Sequence, residues 1–341
     1  MSTITYVKKV ALAIIALLAL TSCGSSKNPV VIEEPVKDSL ITIAFGGDTH
    51  GVGHISDYLV KGGDPLSGVA SVFQKADIGV LNLESAVTTA TEHQDKEYFF
   101  NSNPYLLDWM KTDGIDVVNI GNNHAGDYFR VGLTDTIKAI EDRGMAVIGA
   151  GKNDREAWTA KVIKVRDTKV AFLGIAKING GLETVATSDQ PGTTDGWDQG
   201  VIELAIKAAA RQAKIVIVYV HWGVEGSSCP EISDVTYAQK WLEWGATAII
   251  GSHPHRQQPF VLKDGKLIDY SLGNLSFYTH SGGGLESGVG LLSVSPTGEV
   301  KSYDFAPALI NPKNGSPVLL SGAAENQAVA KKQRQCKNLS N

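Results

Sequence analysis

Short apolar runs recur along this chain, and each breaks off at a glycine or a polar turn. Leu40–Phe45 (LITIAF), Asp77–Leu83 (DIGVLNL), Ile115–Ile120 (IDVVNI), Met145–Ile148, Ile215–Val220 (IVIVYV) and Ala246–Ile250 read as buried strands. Between them the spacing turns helical. Pro65–Lys75, Asn103–Asp113, Leu133–Arg143, Val201–Ala213 and Val235–Trp244 are predicted helices. Asn103-Pro104 starts the second and Gly144 closes the third as a C-cap. Ala157–Val165 and Lys169–Ile175 flank an Asp167-Thr168 turn and predict a hairpin, and the runs on either side of Asp264-Gly265 predict another. Gly288–Val294 and Val300–Phe305 add strands, so the C-terminal half is β-rich. Asn179–Gly196, rich in Gly, Thr and Asp, reads as a loop over a site, and Ser316–Asn341 as a peripheral helix or tail. Strands alternating with helices predict an α/β fold, with one large domain over residues 40–310 and the tail over 311–341.

The chemistry gathers just beyond the strands. There stand Gly46-Gly47-Asp48-Thr49-His50, Asn82-Leu83-Glu84, Gly121-Asn122-Asn123-His124, His221-Trp222-Gly223-Val224-Glu225 and Gly251-Ser252-His253-Pro254-His255. Strand ends are where an α/β sheet places its site, and glycine lets the backbone turn sharply there. A turn at Pro254 swings His253 and His255 toward one point. One histidine after a strand is more often structural. Five of the eight histidines in such positions, with Asp, Glu and Asn among them, point to a metal centre. The other three lack this context: His93 reads as solvent-exposed, and His54 and His280 as bland or touching substrate. Imidazoles mixed with hard oxygen donors suit Mn²⁺, Fe, Zn²⁺ or Mg²⁺. Seven candidate ligands (Asp48, His50, Glu84, Asn123, His221, His253 and His255) are too many for one ion and fit two. Two bridged ions activate a water and clamp a phosphoryl group.

Composition changes this picture little. The chain has 341 residues, 43% hydrophobic and 20% charged, ample for a large core. A net charge of −5 without any basic block argues against nucleic acid as a partner. The N-terminus adds a compartment. Lys8-Lys9 precede an apolar Val10–Leu20, too short to span a bilayer as a mature helix, and Leu20-Thr21-Ser22-Cys23 is like a bacterial lipobox. This predicts a signal peptide over 1–22, lipidation at Cys23 and a Ser/Pro/Glu-rich tether over 23–39. The alternatives are a plain cleaved signal and an N-terminal membrane anchor. Cys229 and Cys336 are then either joined in a disulfide, which export permits, or both free.

Taken together, Asp48-x-His50, Gly121-Asn122-Asn123-His124, His221 and Gly251-x-His253-x-His255 resemble the calcineurin-type metallophosphoesterase motifs. The ordered set GGD, NLES, GNNH, HWGVE, GSHPH and YSLGN, over about residues 40–295, resembles more closely the CapA family of poly-γ-glutamate capsule biosynthesis proteins. The resemblance implies a metallophosphoesterase-like four-layer sandwich, two mixed β-sheets flanked by helices. It implies Asp48, His50 and His255 on one metal, Asn123, His221 and His253 on the other, and Glu84 bridging where many phosphoesterases have Asp. His124 would be the general acid, with Asp127 as a candidate partner; Glu225 and Asn274 would contact substrate or support ligands. The implied role is a lipid-anchored capsule biosynthesis or export protein in the cell envelope, on the periplasmic or extracellular side. Its site would act as a metal-dependent phosphoesterase-type hydrolase on a phosphoester or a bond of the acidic polymer. The alternatives are a non-catalytic accessory protein that binds the polymer or scaffolds capsule synthase subunits, and an amidohydrolase-type barrel. Two hairpins and a β-rich C-terminal half argue against eight βα units.

Overall fold

A computed structural model describes residues 40–279, 282–334 and 336–339. The signal segment, Cys23, the tether and His280 lie outside the described residues. In the first half come β1 (Ile41–Thr49), α1 (His54–Val60), α2 (Ala70–Phe73), β2 (Ile78–Leu83), α3 (Tyr105–Thr112), β3 (Ile115–Asn119), α4 (Phe129–Glu141), β4 (Ala146–Ile148), β5 (Ala150–Gly151) and α5 (Asp154–Ala157). Then follow β6 (Lys161–Val165), β7 (Thr168–Ala176), β8 (Gly192–Thr193), α6 (Gln199–Gln212), β9 (Ile215–His221), α7 (Ile232–Glu243), β10 (Ala248–Ser252), β11 (Phe260–Lys263) and β12 (Lys266–Asp269). The chain closes with β13 (Asn274–Ser276), β14 (Glu286–Val294), β15 (Val300–Ile310), β16 (Pro317–Leu319) and α8 (Ala323–Lys332).

Among the described residues the larger sheet runs β16-β15-β14-β1-β2-β3-β4, with β13 beside the end of β1. Strands β1 to β4 are parallel, and β14 to β16 antiparallel. The second sheet runs β11-β12-β10-β9-β7-β6, parallel at its centre with antiparallel strands at both edges. Alternation decides the layers. Ile41, Ile43 and Phe45 of β1, Ile78 and Val80 of β2, and Ile215, Ile217 and Tyr219 of β9 share one core between the sheets. The opposite face of the larger sheet receives Ile55 and Leu59 of α1, Leu106 and Met110 of α3, and Leu133 and Ile137 of α4. Val218 and Ile249 of the second sheet meet Ile206 of α6 and Trp241 of α7. The result is helices, sheet, sheet, helices: the mixed-sheet sandwich that the family resemblance implies.

Several local expectations are corrected. Helix forms only over Ala70–Phe73 within Pro65–Lys75, and α1 forms where the spacing predicts no helix. Ala157 ends a short helix, not a strand, because the Asn153 side chain caps it by accepting the Glu156 N–H at 2.9 Å. Both hairpins form, the second turning on Asp264 and Gly265 with φ of 51° and 69°. Strand β15 continues to Ile310 and pairs with β16, so residues after 310 enter the larger sheet. Helix α8 then delivers a fully buried Lys332, whose Nζ lies 2.9 Å from Asp269 and donates to the Gln258 and Ser271 carbonyls. Cys336 is joined to Cys229 by a disulfide, Cα to Cα 5.8 Å.

Candidate metal centre

The inward stripe of each strand turns polar at its C-terminal end. On β2 the sequence Ile78, Val80, Asn82 continues the alternation; on β9 it is Ile217, Tyr219, His221; on β10, Ala248, Ile250, Ser252. Register sets these ends side by side. Asp48 pairs with Asn82, Asn82 with Asn119, and Ser252 with His221. Strand β1 reaches this row through an irregularity between Phe45 and Asp48. Gly47 permits it: a Cβ there would sit 1.9 Å from the Gly273 carbonyl oxygen.

Two groups of ligand-type side chains result. Asp48, Glu84 and His255 bring one ligand atom each within 4.8 Å of one another, and so do Glu84, His221 and His253. Glu84 belongs to both. Its Oε1 is 3.5 Å from His221 Nε2 and 3.7 Å from His255 Nε2. Asn123 joins the second group, its Oδ1 2.8 Å from His221 Nε2. His253 Nδ1 is 3.1 Å from the same nitrogen. His253 and His255 converge because both take left-handed backbone, φ 101° and 51°, which non-glycine residues rarely adopt. Such strain persists where surrounding structure holds it, here partly through the His253 N–H donated to Asp48 at 3.1 Å.

Partners behind the ligands set their orientation. His221 Nδ1 meets Ser252 Oγ at 2.9 Å and His255 Nδ1 meets Asn274 Oδ1 at 2.8 Å, which turns each Nε2 toward Glu84. Asn274 thus orients a candidate ligand, and its own Nδ2 donates to the Gly284 carbonyl. Asn82 donates to Asp48 at 2.8 Å and accepts from both Asn119 and Asn122. Asn122 Oδ1 in turn accepts the His124 N–H at 3.0 Å. His124 stacks on Phe100 with centroids 4.2 Å apart, and its Nδ1 is 2.8 Å from the fully buried Asp127.

His50 and Glu225 stand apart from both groups. The His50 nitrogens face the Val52 N–H at 3.3 Å and the Tyr278 N–H at 3.4 Å, and its ring packs on Phe277 at 4.1 Å. Glu225 is exposed on the turn after β9. His54 lies on α1, and His93 is exposed and stacked on Phe99.

Electrostatics follow from burial. Burial alone would raise Asp48, but the hydrogen bond and charge of His255, with His221 and the His253 N–H, hold it well below the usual carboxylate range. Burial, reinforced by Asp48, pushes Glu84 well above it. Burial lowers His221 well below the ordinary imidazole value and takes His253 to about 4. Burial also lowers His124, against the pull of Asp127. His255 rises instead, because Asp48 and Asn274 outweigh burial. The neutral His221 and His253 imidazoles and an ionised Asp48 are donors for a divalent cation, and His255 would release its proton on binding one. Glu84 tests the fit: it is wholly buried and, among the described residues, neither carboxylate oxygen has a hydrogen-bond partner. A buried carboxylate left so is costly, and cations on either side would satisfy it.

Fold and donor set define a two-sheet α/β protein with a candidate divalent-metal site at the C-terminal ends of its central strands. The chain belongs to the bacterial capsule synthesis protein PGA_cap family, whose model matches residues 42–279. It is 29% identical over 269 residues to the PGA biosynthesis protein CapA of Bacillus subtilis, covering 77% of this chain and 70% of that one. It is 30% identical over 233 residues to the capsule biosynthesis protein CapA of Bacillus anthracis, covering 66% of this chain and 53% of the relative. Among solved structures, a hypothetical protein from Thermus thermophilus superposes with a TM-score of 0.50 at 15% identity, covering 78% of this chain and 98% of that one.

Asn82, Asn119 and Ser252 are site residues that the motifs did not single out by role, whereas Asp127 stands where the sequence offers it as the candidate partner of His124. The signal for the first three was the polar residue that ends each inward apolar stripe. Asp127 had none beyond its spacing from His124.

Proposed function

We propose that this protein is a two-cation hydrolase of a phosphoester, working in capsule polymer biosynthesis at the cell envelope. The buried, unpartnered Glu84 carboxylate between two ligand groups is the observation that carries it. Asp48, Glu84 and His255 would hold one cation, and Glu84, His221, His253 and Asn123 the other. Bound cations supply Lewis acidity and a hydroxide-like water. The residues do the rest. Asp127 holds His124 Nδ1 and favours the imidazolium against burial, and that protonated ring would give its Nε2 proton to the leaving oxygen. Phe100 fixes the ring from one face. Lipidation at Cys23 would keep the domain at a membrane, beside capsule synthase subunits and an acidic polymer. A second reading, an accessory protein that binds the polymer without turnover, draws on the biosynthetic names of the relatives. Metal analysis of the protein purified with Mn²⁺, followed by an aryl phosphomonoester and phosphodiester screen, separates them. Two ions per chain with metal-dependent release support the hydrolase, two ions without release support the accessory protein, and trace occupancy removes the hydrolase.

A further inference from the structure

The segment 94–100 carries no motif and forms no strand, yet it encloses Asp127 from three directions. The Gln94 N–H donates to the Asp127 carbonyl at 2.8 Å. The Phe100 N–H donates to Asp127 Oδ2 at 2.6 Å, the same oxygen that holds His124 Nδ1. Lys96 forms an ion pair with the other oxygen, Oδ1. Its Nζ also donates to the main-chain carbonyl of Asn123 at 3.0 Å. One ammonium therefore ties together the residue that offers a ligand oxygen and the carboxylate that orients the acid. Asp127 is wholly buried, whereas the Lys96 side chain is 26% exposed and arrives from a separate, outer segment.

The geometry points to Lys96 as a positioning residue of the catalytic centre, one that locks the turn 123–127 so that Asn123 and His124 face the cations together. This rests on the hydrolase reading above. Removing the ammonium leaves Asp127 Oδ1 buried without its cation, with only Oδ2 held by His124 and the Phe100 N–H, and frees the Asn123 carbonyl. A buried carboxylate stripped of its partner is destabilised, and the turn would relax to reach water. Arginine can restore both contacts through its fork of donors; methionine keeps the stem and restores neither.

The test compares full-length wild type, Lys96→Met and Lys96→Arg in two measurements. The first is steady-state hydrolysis of an aryl phosphodiester with Mn²⁺. Lys96→Met should lower kcat about 10–100-fold with KM nearly unchanged, as losing a support behind a ligand does, and Lys96→Arg should recover most of it. A raised KM at constant kcat would overturn the proposal in favour of a substrate contact. The second is hydrogen exchange without metal. Amides of residues 122–128 should exchange about tenfold faster in Lys96→Met, and regain protection in Lys96→Arg, while β9 and β10 stay protected. Unchanged protection at 122–128 overturns the proposal whether or not the wild type turns over. A wild type without turnover, with exchange at 122–128 changed as expected, would remove the hydrolase reading and leave Lys96 as the lock on this turn.

Discussion

A carboxylate buried without one hydrogen-bond partner, as Glu84 is among the described residues, costs several kcal/mol unless opposite charge faces it. Because burial and Asp48 raise Glu84 well above the ordinary glutamate value, the metal-free fold holds its proton where the unfolded chain has already released it. Stability from this residue is therefore present below the unfolded value near 4.5 and is lost as pH rises through the higher folded one. Glu84→Gln cannot ionise. Metal-free Glu84→Gln should gain stability over wild type at pH 8 relative to pH 5, by roughly 2–4 °C in melting temperature per kcal/mol. It should also lose the upward shift that Mn²⁺ gives wild type; thermal melts at both pH values, with and without Mn²⁺, check both, and a retained Mn²⁺ shift would refute the bridging role. His124 makes a different demand. Its side chain meets Asp127 and Phe100 and, among the described residues, forms no hydrogen bond with Asp48, Glu84, His221, His253 or His255, so His124→Ala should keep its metal content while kcat falls about 10²–10⁴-fold. An unchanged rate would mean that another group protonates the leaving oxygen.

At the scale of elements, the site depends on how closely β1 and the loop before β13 approach. The Asp48 N–H donates to the Gly273 carbonyl at 2.9 Å, and Asn274 stands opposite Asp48. Only a residue without a side chain fits at Gly47, because the obstacle there is backbone and cannot rotate away. Gly47→Ala should push β1 from Gly273, costing about 1–3 kcal/mol as overpacking does, and weaken metal binding with it. Urea unfolding and Mn²⁺ titration of this one variant measure both, and wild-type values in the two would show that β1 and Gly273 yield more easily than their packing allows.

Across the molecule, the C-terminal stretch acts as a brace. It adds β16 to the larger sheet, sets Lys332 against Asp269 beneath the second sheet, and closes a disulfide across 107 residues to Cys229. Cys229 sits on the segment after Glu225, whose carbonyls at Ser227 and Cys229 accept from Gln258, just beyond His255. Replacing both cysteines by serine should cost about 2–5 kcal/mol, read by calorimetry against the oxidised protein. A variant as stable as wild type would show that Lys332 and β16 suffice without the bridge.

What could be read from the chain alone follows from local periodicity. Alternating apolar runs declare strands, and the residues after them offer donor side chains, so Asp48, Glu84, Asn123, His221, His253 and His255 are legible from the chain as residues that converge. Helix bounds were less so around Pro65–Lys75, where turns override spacing, and the C-terminal stretch concealed its role because a short strand has too few residues for a pattern. Partnerships belong to the tertiary structure. Which asparagine supports Asp48 depends on register between strands far apart in sequence, and that Lys96 reaches both Asp127 and Asn123, and that the His50 ring turns to backbone N–H groups, depends on how loops pack over those strands. Local composition sets what each strand end offers; only the packing of two sheets decides which of those ends face one another.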